Sequence, residues 1–175
     1  MKKIAVGLGG VLLLAAPATS ALAATANATG SATINSGQYS ISATNFSFGT
    51  IPLTGQDQPV NAAADQVTVT DATGTGNGWN VTLSGGALTD GTHSLPNYTI
   101  NGGTLVSSTG TAGPGATVNT PAVVTAAPVK VLSDAAGAGL GQDVYAFNYN
   151  QDVPANAYAS TGYTATETLT LAATP

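Results

Sequence analysis

Cysteine is absent from this 175-residue chain, and basic residues are nearly so, with only three Lys and Arg in all. Without cysteine the chain can form neither disulfides nor a thiol-based redox or catalytic centre. With so few cations it cannot neutralise a run of phosphates, which excludes nucleic acid as a partner. Charged residues of both signs amount to 6%, so small and polar residues must fill the surface. Such a composition suits an extracellular β-protein or partly disordered segments.

The N-terminus has the three parts of a secretory signal peptide. Met1-Lys2-Lys3 precedes an apolar run from Ile4 to Ala16, and Ala21-Leu22-Ala23 supplies a small-residue cleavage site. The run is short for a membrane span, although a retained anchor is the alternative reading. We therefore predict a signal peptide over residues 1–23 and no transmembrane segment after its cleavage. Its removal leaves Lys130 as the one basic residue against eight acidic ones.

Short alternating runs separated by glycine-rich turns predict the fold of the remaining chain. The clearest pair flanks the turn at residues 71–78 and predicts a β-hairpin. Its inward face should carry Val67, Val69, Trp79, Val81 and Leu83. No window has helical periodicity. We predict an all-β fold, an antiparallel β-sandwich or Greek-key-like barrel with no significant helix after the signal peptide. Residues 24–36 should form a flexible N-terminal arm and residues 37–175 a single β-domain.

The sequence contains no recognisable catalytic constellation. His93 is the only histidine, no G-x-S-x-G elbow is present, and the carboxylates are too sparse to nominate a glycosidase pair. The turn from Gly74 to Gly78 lacks the Lys and the helix that a phosphate loop needs. We therefore expect no enzyme, no catalytic residue and no cofactor.

One loop has the spacing of oxygen ligands for calcium. Asp71, Thr73, Thr75 and Asn77 occupy alternate positions, but only one of them is a carboxylate. We assign no metal site, and the sequence leaves open whether calcium binds this loop.

Two stretches resemble the signatures of the WxL domain family. Asp65–Val81 has the strand, the D-x-x-G turn and the Gly-Trp pair of the first signature, with Val81 where the family has Leu. Val153–Tyr158 and Tyr163–Leu171 resemble the distal signature, with Leu169 where a second Trp is expected. Both departures keep an apolar residue at an inward position. The chain is thus identified as a divergent, WxL-like member of that family.

The resemblance implies a secreted Gram-positive protein attached non-covalently to the cell wall and surface. Its implied ligand is peptidoglycan or another wall glycan, and other surface proteins are implied partners. The acidic charge favours hydrogen bonds and stacking over salt bridges as the means of contact. The candidate ligand-binding residues are Trp79, Tyr145, Tyr149 and Tyr158, although the alternation around Trp79 favours the core. The alternative function is a structural subunit of an extracellular filament or matrix, self-associating by strand addition of the arm 24–36.

Overall fold

Alternating apolar and polar residues form β-strands throughout the part of the chain that can be described. The computed structural model describes residues 29–62, 65–111 and 116–174, and within these it contains strands and no helix. The predicted signal peptide and residues 24–28 of the predicted arm lie outside the described residues. Residues 29–36 belong to no strand, so strand addition by this arm stays a prediction.

The described residues form ten strands. They are β1 (Tyr39–Ala43), β2 (Gln58–Asn61), β3 (Asp65–Asp71), β4 (Trp79–Gly85), β5 (Thr99–Thr111), β6 (Thr117–Val118), β7 (Ala122–Val123), β8 (Val129–Asp134), β9 (Leu140–Val153) and β10 (Glu167–Ala173).

The strands pair into two antiparallel sheets. The first has the order β1-β3-β9-β5-β7, with β2 also paired to β9. The second has the order β10-β4-β8-β6. The inner faces of both sheets contribute to one cluster of buried apolar side chains, as in a sandwich. The predicted all-β antiparallel fold is confirmed.

The predicted hairpin between β3 and β4 is wrong. β3 pairs with β1 and β9, whereas β4 pairs with β10 and β8. The turn at residues 71–78 therefore crosses from one sheet to the other. Alternation fixes which face of a strand is buried but does not choose its partner. The inward face itself was predicted correctly, since the side chains named for it are all at most 1% exposed.

Among the described residues, Trp79 is the largest side chain that is fully buried in the core. Its side chain is fully buried, and its indole Nε1 donates a hydrogen bond to the carbonyl oxygen of Gly139 at 3.2 Å. Gly139 has φ of +76°, and a Cβ there would lie 2.5 Å from Trp79 Nε1. Glycine at this position is therefore what lets the loop between β8 and β9 approach the indole.

The two family-like signatures meet on adjacent strands of the second sheet. β4 pairs with β10 so that Leu83 lies opposite Leu169 and Trp79 lies opposite Ala173. Leu169, at the position of the missing second Trp, is half-buried and packs against the core. The substitution thus preserves an apolar contact between neighbouring strands.

Candidate functional site

Two long loops lie side by side at one end of the second sheet. Residues 86–98 connect β4 to β5, and residues 154–166 connect β9 to β10. Thr89 and Thr164 join them through two backbone hydrogen bonds of 2.9 Å each. Within the second loop, the hydroxyl of Tyr163 donates to the carbonyl oxygen of Tyr158 at 3.1 Å. These bonds hold Tyr158 at a defined position although it belongs to no strand.

An exposed aromatic pair joins the two loops. The rings of Tyr158 and His93 stack with their centroids 3.9 Å apart and their planes 20° from parallel. The side chain of Tyr158 is 64% exposed. His93 is held from behind by Asp90, whose Oδ2 lies 3.4 Å from His93 Nδ1. The pair is thus a preformed aromatic surface that faces solvent.

Asp90 fixes the turn that carries His93. Its Oδ1 accepts hydrogen bonds from the backbone N–H of His93 at 2.7 Å and of Thr92 at 2.9 Å. These bonds, above all that from His93, lower the pKa of Asp90 to about 2, because they favour the ionised carboxylate. Asp90 is therefore negatively charged at neutral pH and places an anion beside the aromatic pair.

A groove of about 1020 Å³ opens beside the aromatic pair. Residues 43–51 form one wall, residues 157–161 and 163–167 form much of the other, and Tyr158 belongs to the lining. Tyr158 also lines a neighbouring pocket of about 190 Å³ together with His93. Phe46 secures the first wall, since its ring stacks on that of Tyr149 at a centroid distance of 4.3 Å, and Phe48 packs edge-on against Phe46 at 5.8 Å.

Two buried carboxyl groups also line this groove. Asp65 begins β3 and Glu167 begins β10, and the hydroxyl of Tyr149 lies 3.2 Å from one oxygen of each, Oδ2 and Oε2 respectively. A phenol has one proton, so it can donate to only one carboxyl group at a time. When both acids are ionised, the Tyr149 hydroxyl therefore donates to one carboxylate and has no proton for the other.

Burial makes this carboxyl pair unusually basic. Desolvation raises the pKa of Asp65 to about 6 and that of Glu167 to about 7, and the charge of Asp65 adds to the effect on Glu167. The same burial, with the charge of Glu167, raises the pKa values of Tyr98 and Tyr149, so both phenols stay protonated. The pair thus exchanges protons near neutral pH rather than near pH 4.

The four aromatic residues proposed as ligand contacts occupy different environments. Trp79, Tyr145 and Tyr149 are at most 1% exposed, and the hydroxyl of Tyr145 accepts a hydrogen bond from the backbone N–H of Ala116 at 2.7 Å. Only Tyr158 among them faces solvent. A ligand role for the three buried rings stays a prediction, and the geometry favours Tyr158.

The residues that surround Tyr158 were not singled out from the sequence as a site. From the sequence, His93 drew attention only as the single histidine. Phe46 and Phe48, which follow the end of β1 at Ala43, were not singled out. No local pattern connects these positions, because they lie on loops that are far apart in the sequence. The sequence does carry one signal for this site. Asp65 lies two residues before Val67 on the same strand, so alternation places both side chains on the inward face.

The loop with calcium-like spacing is used to form a turn. Asp71 Oδ1 accepts hydrogen bonds from the backbone N–H of Thr73 at 2.9 Å and from its hydroxyl at 2.6 Å. The hydroxyls of Thr73 and Thr75 are 3.0 Å apart. Across the described ranges, no group of three or more His, Cys, Asp or Glu side chains is arranged to hold a metal ion.

An open groove lined by apolar and aromatic side chains with a few polar groups is typical of ligand-binding sites. The chain belongs to the WxL family: the model of the WxL domain, described as surface cell wall-binding, matches residues 17–175. The resemblance seen in the two signatures is thereby confirmed, and the protein has a surface role associated with the cell wall. No curated protein and no solved structure matches the chain. In the part of the chain described by the structure, no helix is long and apolar enough to cross a membrane.

Proposed function

We propose that this domain holds a secreted, non-enzymatic Gram-positive surface protein to peptidoglycan without a covalent bond. The observation that carries the proposal is the exposed stack of Tyr158 on His93 beside the groove. An aromatic ring offers an apolar face to the C–H groups of a sugar or to a peptide backbone, while its polar edge stays hydrated. Asp90 adds a charged hydrogen-bond acceptor behind the pair.

The charge of the chain limits which wall component it can bind. If the predicted signal peptide is removed, one cation remains against eight acidic residues. Like charges repel, so anionic wall polymers are poor ligands for such a surface. Peptidoglycan offers neutral sugar faces and peptide groups instead. The acidic surface therefore supports binding through stacking and hydrogen bonds.

Removal of the exposed ring should weaken retention on the wall. We expect Tyr158→Ala to weaken binding to purified peptidoglycan at least tenfold in a sedimentation assay, because the stacking face is lost. Tyr158→Phe keeps that face and should bind nearly as the original protein does. The melting temperature of either variant should change little, since the side chain is 64% exposed.

Leu105→Ala is the matched control for this experiment. Leu105 is 44% exposed and lies on β5, outside the groove lining, so its truncation should leave retention unchanged. If the Tyr158→Ala variant is fully retained, the contact with peptidoglycan must lie on another surface of the domain. Failure of the unmodified protein to sediment with peptidoglycan at moderate salt would refute the proposed function itself.

A further inference from the structure

Two buried carboxyl oxygens of the pair, Asp65 Oδ1 and Glu167 Oε1, have no well-formed hydrogen bond among the described residues. The Tyr98 hydroxyl lies close to the Glu167 carboxyl group without a well-aligned hydrogen bond to it. Asp65 is 2% exposed and Tyr98 is fully buried. Buried polar atoms in native proteins are nearly always paired with protein, water or ligand. The unpaired oxygen of Asp65 is enclosed, but the residue lines the open groove, so a partner would approach from the groove.

A positively charged hydrogen-bond donor would satisfy the unpaired atoms best. Both belong to carboxyl groups, which only accept hydrogen bonds when ionised. An alkylammonium group carries three N–H donors and one positive charge on a compact centre. A hydroxyl group could donate but would leave the buried negative charge uncompensated. Anions are excluded by the same two carboxylates.

The walls of the groove suit the alkyl chain of such a ligand. Phe46 and Phe48 line one side, and Leu169 of β10 lies near Glu167 on the other. Ammonium side chains commonly lay their methylene groups along apolar surface while the charged end finds a polar partner. The groove offers both parts that such a side chain needs, an apolar wall and an acidic end.

We propose that the groove receives a primary ammonium group at the end of an alkyl chain, with Asp65 Oδ1 and Glu167 Oε1 as its acceptors. Within the proposed function, such a group is the free side-chain amine of a diamino acid in the peptide stems of peptidoglycan. This inference rests on that function and specifies the part of the ligand that the groove selects. Tyr158 would then contact the ligand at the rim while the amine lies inside.

Chemical modification of the ligand tests this without altering the protein. Binding of the mature protein is measured on untreated peptidoglycan and on peptidoglycan N-acetylated with acetic anhydride, followed by hydroxylamine to remove acetyl esters from sugars. N-acetylation removes the charge and should weaken binding at least tenfold. Equal binding to both preparations overturns the amine inference and leaves the proposed function intact. Binding to neither refutes the proposed function instead.

A pair of charge variants locates the effect in the groove. Glu167→Gln keeps the shape of the side chain and removes its charge, so binding to untreated peptidoglycan should fall about tenfold and the preference over acetylated material should shrink. Asp152→Asn removes the same charge from an exposed position on β9 and should behave as the original protein does.

A small-molecule titration covers the case in which Glu167→Gln fails to fold. n-Butylammonium is titrated into the unmodified protein and compared with n-butanol, with two-dimensional NMR as the readout. Shifts should be specific to butylammonium and should concentrate around Asp65, Tyr149 and Glu167. Equal effects of the two compounds would overturn the inference.

Discussion

At the scale of single residues, Trp79 is a core residue with a structural hydrogen bond. Trp79→Ala should lower the free energy of unfolding by about 3–5 kcal/mol, because it empties a large buried volume. Trp79→Phe keeps most of the packing but leaves the Gly139 carbonyl without its donor, and should cost about 1–3 kcal/mol. Urea unfolding followed by circular dichroism measures both values.

The same residue reports whether peptidoglycan reaches the core. Trp79 is the only tryptophan, so the tryptophan emission of the protein reports on this site alone. A fully buried indole should keep its emission maximum when saturating peptidoglycan is added. A shift that accompanies binding would instead show that the ligand contacts or rearranges the core.

Alternation predicted the environment of strand residues better than that of loop residues. The rule that placed Trp79 inside also places Tyr145, Phe147 and Tyr149 on one face of β9, and all three are buried. The selection of Tyr145 and Tyr149 as ligand candidates weighed residue type above this pattern. Tyr158 lies in the loop after β9, where the alternation of a strand does not apply, and its ring is exposed.

At the scale of elements, the glycine of the Gly-Trp pair is explained by a close approach of β8. Gly78 has φ of +74°, and a Cβ there would lie 2.6 Å from the carbonyl oxygen of Asp134 and from the backbone of Ala135. Its own carbonyl accepts hydrogen bonds from the hydroxyl of Tyr39 and the backbone N–H of Thr174, each at 3.1 Å. The turn is thus fastened to both sheets at this residue.

A comparison of two glycines of this turn distinguishes the cost of backbone strain from the cost of a steric clash. Gly76 also has positive φ, +64°, but a Cβ there would meet nothing within 4 Å. Gly76→Ala should therefore cost only about 1–2 kcal/mol, the strain of a left-handed conformation. Gly78→Ala should cost clearly more in the same urea titration, because the clash adds to the strain. Equal losses for the two variants would show that β8 does not press against the turn.

The sequence could predict these elements but not their arrangement. Strand positions and inward faces follow from local alternation and from glycine turns, which are properties of neighbouring residues. The crossing of the turn between sheets depends instead on which strand flanks β3, and that strand is β9, far along the chain. The carboxyl pair was missed for the same reason, since Asp65 and Glu167 meet only when β3 and β10 are placed in separate sheets.

At the scale of the whole molecule, the buried carboxyl pair should make the domain more stable in mild acid than in base. The pKa values of Asp65 and Glu167 are raised to about 6 and about 7, so the folded state holds protons that the unfolded state releases near pH 4. Their stabilisation is complete below about pH 4 and is lost as the pH rises through 6 and 7. Asp90 acts oppositely, since its lowered pKa removes stability only as the pH falls towards 2.

The melting temperature should therefore be highest near pH 4 and fall as the pH rises to 8, by about 5 °C if the pair contributes roughly 2 kcal/mol. Glu167→Gln carries no proton to lose, so it should flatten this decline and melt above the unmodified protein at pH 8. Asp152→Asn, exposed and remote from the pair, should keep the original slope, which separates the pair from general repulsion among acidic residues. A melting temperature that rises between pH 4 and pH 8 would mean that the two carboxyl groups are ionised and compensated in the folded protein. The scan can be repeated with saturating n-butylammonium to link stability to binding. A cation seated between the carboxylates should raise the melting temperature at pH 8. It should leave the melting temperature unchanged at pH 4, where the protonated pair has no charge to offer it.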